Sequence, residues 1–405
     1  MTDLNRFGNK PIVMAFYFLC VSNLIVALGM VAGSALLKKS PGPWGHTFDY
    51  HGEVYAHWDG QWYKLIARDG YSYGPFQCSS VAFFPAYPLL GGLASKTTGL
   101  PPEISLFIIS NLALAGTFVI FAKYLQLRFP EPGSLVRDYS LLCLGIAPPT
   151  FFFRMAYSES LFLLVVVAIF YAVKREYPLI LIAALIGLAT AIRPVGIGLL
   201  VPFVVHTWQR TRRGWSFVGT ILGLLPLLVW GISAYCAYLY IEFGDPLLFI
   251  KTQVHWRDRG SPPWPGKLIE LATLEPIRSV FDPSSPGYWQ RGEPGQSPLL
   301  SLHVADSAVF LAVVALVVIG KLKRWLTTFE VITAAVFLII PYWTVGYGSY
   351  MKSMARYSSS VIPAYIVLGN IASRLNAAAI AAAAAASGLF LGIYTAMFVA
   401  YYFMI

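Results

Sequence analysis

The chain has 405 residues, 57% of them hydrophobic and only 12% charged, with a formal net charge of +10. A mean hydropathy of +0.64 with repeated long apolar runs excludes an ordinary soluble chain and points to a polytopic membrane protein, so the basic excess is a matter of membrane sidedness before it is a nucleic-acid footprint. Four cysteines, at 20, 78, 143 and 236, show no CxxC spacing, which argues against a zinc site or a disulfide framework.

In chain order, the run 11 to 37 carries no charge and exceeds the roughly 20 residues a spanning helix needs. It is too long for a signal-peptide core and reads as a retained helix. Further apolar runs fall near 104 to 127, 139 to 153, 158 to 173, 178 to 208, 216 to 241, 302 to 320, 328 to 345, 357 to 373 and 378 to 403. The run from 178 to 208 is broken by Arg193-Pro194, since proline inside a helix removes a backbone bond and clashes with the preceding turn. Read as two helices there, the chain makes about eleven spans.

Basic residues support that threading. With Arg6 and Lys10 inside, the same side collects Arg128/Arg137, Lys174/Arg175, Arg210/Arg212/Arg213, Lys321/Lys323/Arg324 and Arg374. The whole of 1–405 reads as one integral-membrane domain, with two long segments on the opposite, extracytoplasmic face: 38–103 and 242–301. Both are rich in Pro, Gly, Trp and charge, and loops of that length are usually functional or disordered; their aromatic content argues for order. WYKLIARDGY and VAFFPAYPLL in the first read as interfacial helices. The Ala-rich stretch 376–387 is expected to let the last helix pack closely on its neighbours.

Polar residues at the outer face are the candidates for chemistry. Asp59 lies between Trp58 and Trp62, where aromatic walls can exclude water around a carboxylate acting as general base; it can equally cap the helix that follows. Arg154 and Glu159 flank the return of the third span as the fourth, either as a local pair or facing a shared cavity. Arg193 sits inside an apolar stretch at a broken helix, suited to holding phosphate bidentately or to snorkelling outward. Arg356 opens the tenth span with Lys352 four positions before it, a spacing that places both on one helical face and suits an anion, though ordinary interfacial basic residues also fall there. Gln253, His255 and Trp256 begin the second long loop, the candidate for acceptor recognition. There is no P-loop, GxGxxG, GxSxG, HExxH or DxD pair. A catalyst built from these residues would use a base and cationic donors, with no metal cofactor.

The strings WDGQWYKLIARDGY, FFPAYPLL, PPTFFFRMAYSESLF, AIRPVG, FGDPLLFIKTQVHW and ARYSSSVIP, in order from residue 57 to 363, resemble the GPI mannosyltransferase II (PIG-V) family of polytopic glycosyltransferases of the GT-C type. That resemblance implies an all-α polytopic fold with a large first extracytoplasmic loop, and a lipid-linked donor, polyprenyl phosphate mannose. It also implies inverting transfer to a glycolipid, glycan or protein hydroxyl on the non-cytoplasmic face. Asp59 matches the acidic position that GT-C enzymes use as base, and Arg193 and Arg356 match positions where cations can hold the donor phosphate. Lys352 and Arg154 are expected to assist. Trp58, Trp62, Tyr63, Glu159, Gln253, His255 and Trp256 are expected to shape the substrate site. The compact length and the lack of a retention signal look like a prokaryotic member of the plasma (inner) membrane, with a cytoplasmic N-terminus. Two other classes share these features: a lipid-phosphate transporter or flippase, whose internal hydropathy repeat is missing here, and a non-catalytic subunit of a glycosyltransferase complex.

Overall fold

The computed structural model describes residues 11–39, 54–211, 214–260, 262, 264–290 and 297–402, and every regular element among them is helical. Arg6, Lys10, Arg212 and Arg213 of the expected basic clusters lie outside the described residues. Hydrocarbon offers backbone groups no water, so an open chain that crosses it must pair them within helices. The chain is an all-α, multi-pass membrane protein.

Among the described residues six helices are long and apolar enough to cross a bilayer: Pro11–Leu36, Pro102–Arg128, Trp215–Phe243, His303–Leu322, Thr328–Gly346 and Ala377–Val399. The pieces Pro148–Arg154 and Glu159–Lys174, bent by 100°, make a seventh if counted as one span. The remaining apolar runs of the expected eleven are helical but shorter, and proline stands at the breaks. Pro148 and Pro149 follow the helix Leu135–Ile146 and open a 3-10 turn that ends at Arg154. Arg193 takes extended backbone (φ −148°, ψ 144°) after Leu179–Ile192, as a residue before proline is pressed to do, and the chain returns through Pro194–Leu199 and Leu200–Arg210. Pro363 sits in the first turn of Ile362–Ala372. At about 1.5 Å per residue, Glu159–Lys174 and Leu179–Ile192 are about 24 and 21 Å long, short of a hydrocarbon core of roughly 30 Å.

These short helices all start or end in one basic layer. Arg128 reaches the Trp325 carbonyl at 2.9 Å and Arg374 lies over the Trp325 ring at 4.4 Å. Arg210 donates to the carbonyls of Tyr177 (2.7 Å) and Glu176 (2.8 Å), and Phe329 packs against Phe170 and His206. Buried Glu330 ties this end together: it caps its own helix through Thr327 and accepts from Tyr124 and Arg128. Arg128, Arg210 and Arg374 share one end, as alternating crossings require. The interior between the two ends is filled by Phe118, Phe121, Phe162, Phe170 and Phe337.

At the other end the helices Asp59–Asp69 and Ala86–Thr98 lie side by side. The first buries Tyr63 and Ile66, three residues apart on one face, and exposes Leu65, so it is amphipathic as a surface-lying helix should be. The second long loop forms Trp264–Ala272 and Glu275–Phe281. Packing of the last helix differs from expectation. Its Ala-rich first half is mostly exposed, and the close approach is made by its second half against Pro11–Leu36. A Cβ on Gly29 would lie 2.6 Å from the Gly392 carbonyl, and one on Gly33 would collide with the Ala396 backbone, so glycine on the first helix, not alanine on the last, permits the contact.

Candidate active site

Four charged side chains from four separate elements meet at the end opposite the basic layer. Asp59 opens the helix Asp59–Asp69 and Glu159 opens Glu159–Lys174, while Arg193 stands in the break after Leu179–Ile192 and Arg356 lies in the short helix Met354–Ser359. Arg356 Nη1 is 2.7 Å from Asp59 Oδ2, and its Nε is 3.3 Å from Glu159 Oε1. The same Glu159 oxygen pairs with Arg193 Nη1. Two carboxylates thus balance two guanidiniums, the arrangement a low-dielectric setting demands of charges at this depth. Exposure within the cluster is uneven: Asp59 and Arg193 are 16% and 12% exposed, Arg356 and Glu159 only 4% and 1%.

Aromatic rings wall the arginines. The Arg356 guanidinium lies over Tyr357 (5.0 Å), Tyr157 (5.4 Å) and Phe152 (5.6 Å), and Arg193 lies over Tyr357 at 5.4 Å. Phe152 comes from the proline-started 3-10 turn, which explains why that run leaves the helical path before Glu159. Ser158 accepts from Arg193 at 3.4 Å and bonds the Tyr63 hydroxyl at 2.8 Å, linking the surface helix to the broken one. Burial pushes the Tyr63 phenol well above its ordinary value, so it stays neutral and serves as a hydrogen-bonding group.

Local backbone aims both ends of the Asp59–Arg356 pair. Trp58 adopts φ 56°, a left-handed value costly for a bulky residue, and its ring stacks on Tyr401 at 4.6 Å. The chain enters the helix through Gly60 N–H to His57 O (3.0 Å) and Gln61 N–H to Trp58 O (3.0 Å), leaving the Asp59 carboxylate on Arg356 and not on a cap. On the other side Tyr350, Met351 and Ser353 all have positive φ in one turn. Asp306, buried in the helix Leu302–Leu322, holds that turn: Oδ2 accepts from Ser353 N–H (3.1 Å) and Oδ1 from Ala355 N–H (2.7 Å). Asp306 is absent from the residues expected of this site. The available signal was an acid inside the apolar run 302 to 320, which in a membrane helix asks for a partner.

Other expected residues sit elsewhere. Arg154 points away from Asp59 and binds Asn23 (2.8 Å), Ser22 (2.5 Å) and the Thr150 carbonyl (2.8 Å), so it locks the first span to the 3-10 turn. Lys352 precedes the helix of Arg356 and shares no helical face with it. It pairs with Asp258 of the second loop at 2.7 Å. Trp62 stacks on Phe83 (5.8 Å) and meets the edge of Trp256 (5.7 Å), an aromatic patch shared by the two long loops. His255 contacts the Pro75 carbonyl at 3.1 Å, and Gln253 lies on the same 3-10 turn, Thr252–Trp256.

Two further features escaped the sequence reading. The second loop is fastened to the turn before Arg356: Asp258 and Arg259 N–H bond the Gly348 carbonyl (2.9 and 3.1 Å), and Arg259 lies over Tyr347 and Tyr350 while pairing with Glu275. His57, two residues before Asp59, is buried against Phe398 and Tyr401 with neither ring nitrogen hydrogen-bonded. Desolvation, with Lys39 adding to it, lowers its pKa to about 4, so it is a neutral packing group.

No protein-family model matches the chain. Over 115 residues it is 33% identical to GPI mannosyltransferase 2 of Drosophila melanogaster, which is 26% of this chain and 24% of that protein. In three dimensions it is similar to the oligosaccharyltransferase of Archaeoglobus fulgidus in the apo form, with a TM-score of 0.46, 13% identity, and coverage of 95% of this chain and 56% of that one. The same enzyme tethered with an acceptor peptide containing the NVT sequon gives 0.45, 14%, 96% and 55%. The chain therefore spans about half the length of that structure and about a quarter of the curated relative is matched.

Proposed function

We propose that the chain is a membrane glycosyltransferase of the GT-C type, moving a sugar, mannose by resemblance, from a polyprenyl phosphate to a hydroxyl of a glycolipid, glycan or protein on the extracytoplasmic face. The observation that carries this reading is the cluster of Asp59, Glu159, Arg193 and Arg356, largely buried, walled by aromatic rings and set at the end of the helices opposite the basic layer. The 33% identity to a mannosyltransferase over part of the chain supports the same class.

The acceptor hydroxyl attacks the anomeric carbon from the face opposite the phosphate, giving inversion. As the new C–O bond forms and the bond to the phosphate oxygen breaks, the hydroxyl proton passes to Asp59, and the charge gathering on the leaving phosphate falls to Arg193 and Arg356. General-base and charge-stabilising groups of this type are each worth about 10²-fold or more in rate. Arginine supplies the positive charge, so no metal cofactor is required by this scheme. Glu159 fixes both guanidiniums, and the aromatic patch of Trp62 and Trp256 offers a stacking face for a sugar ring. The experiment is to give the purified protein radiolabelled polyprenyl phosphate mannose and a panel of acceptors. Label covalently moved to an acceptor supports the reading, while label crossing a vesicle with its sugar–phosphate bond intact would make the protein a flippase.

A further inference from the structure

The cluster presents a difficulty that points to how it works. With two carboxylates already neutralising two guanidiniums, an incoming phosphate finds no spare positive charge unless one pair opens. The two pairs are not equivalent. Glu159 is 1% exposed and shared by both arginines, so separating it would strand a charge in the interior. Asp59 is 16% exposed, the most accessible of the four, and is paired with Arg356 alone of the two guanidiniums, its Oδ2 lying 2.7 Å from Arg356 Nη1. Its helix also lies at the surface, where a small displacement leaves it solvated.

Resting on the glycosyltransferase reading, we propose that the Asp59–Arg356 pair is a latch that the donor phosphate opens. The phosphate takes the Arg356 face now held by Asp59, Glu159 keeps both guanidiniums in place, and the displaced carboxylate becomes free to accept the acceptor's proton. In the resting state the base is occupied, so a hydroxyl or water that arrives before the donor meets no free carboxylate. Donor binds first, and the same event that seats the leaving group arms the base.

The latch makes an unusual demand of one variant. Asp59→Asn removes the competitor for Arg356, so it should bind a lipid phosphate about tenfold more tightly than the parent while losing transfer. The probe is citronellyl phosphate titrated onto detergent-purified protein, with citronellol as the uncharged control and thermal midpoint as a second readout. Asp59→Asn, or Asp59→Ser where Asn folds poorly, should have a lower midpoint without ligand and a larger upward shift with it. Arg356→Gln placed on the Asp59→Asn background should abolish the gain. Equal or weaker phosphate binding by both Asp59 variants would overturn the latch and leave the glycosyltransferase reading standing. Failure of the parent and every variant to prefer citronellyl phosphate over citronellol would overturn that reading, and the latch with it.

Discussion

Asp306→Ala removes a buried side chain that holds the backbone of the turn carrying Arg356. Asp306 is 6% exposed, and its carboxylate accepts two backbone N–H groups, from Ser353 at 3.1 Å and Ala355 at 2.7 Å. Leaving a buried donor unpaired costs about 1–3 kcal/mol, so the substitution should destabilise the protein by about 2–6 kcal/mol. That turn already holds Tyr350, Met351 and Ser353 at positive φ, each an additional cost of about 1–3 kcal/mol that the carboxylate helps to offset. Release of the turn moves Arg356, and a displacement of about 1 Å at a reacting centre can cost about 10² in rate. Asp306→Asn retains one carbonyl oxygen for one of the two N–H groups and should fall between parent and Asp306→Ala. The assay pairs a thermal midpoint in detergent with kcat and KM for transfer from polyprenyl phosphate mannose. Asp306→Ala protein that matches the parent in both midpoint and kcat would refute this role.

Glu159→Gln takes from Arg193 the carboxylate it pairs with and leaves Arg356 with Asp59, and loss of one partner of a buried ion network should cost about 3–5 kcal/mol in stability along with activity, read by midpoint and transfer. His57 gives an acid limit: its folded pKa of about 4 lies below the ordinary 6.5, so its contribution is full above about pH 6.5 and is lost as pH falls toward 4, about 3 kcal/mol in all. His57→Phe should flatten the midpoint over that range, and an unchanged slope would show that other groups govern it. Gly33→Leu should force the first and last helices apart and lower the midpoint, whereas the same change at Gly219, where an added Cβ meets nothing, should be nearly silent. Transfer should survive EDTA, because arginines carry the charge stabilisation; a strict requirement restored by Mg²⁺ or Mn²⁺ would overturn that part of the scheme.

Much of the architecture is legible in the residues because the bilayer enforces it. The break at Arg193-Pro194 follows from proline chemistry, and Arg128, Arg210 and Arg374 fall at one end as the distribution of basic residues requires. Span length is less legible, since an apolar run of fifteen residues looks alike whether it crosses or stops half-way. The helices that stop short, Glu159–Lys174 and Leu179–Ile192, are the ones whose ends carry charge into the cluster.

Asp59, Glu159, Arg193 and Arg356 each stand out as single polar residues, but their pairing is a tertiary fact set by helices distant in sequence. Arg154 has the same local signature as Arg193 and a different partner set, because the bend at Pro148 turns it toward Ser22 and Asn23. Lys352 reads as helical with Arg356, yet the positive-φ turn puts it on Asp258 instead. Asp306 is hard to see in the sequence because the fifteen apolar residues of 302–320 outweigh one acid in any average, although in a membrane that single acid is the informative residue.

Whether Asp59 is the base of a glycosyl transfer is decided by the rate at which purified protein transfers label from polyprenyl phosphate mannose, compared between parent and Asp59→Asn. The parent should transfer label and Asp59→Asn should do so about 10²-fold more slowly or worse, with the variant still binding donor. Transfer by Asp59→Asn at the parental rate would contradict that role.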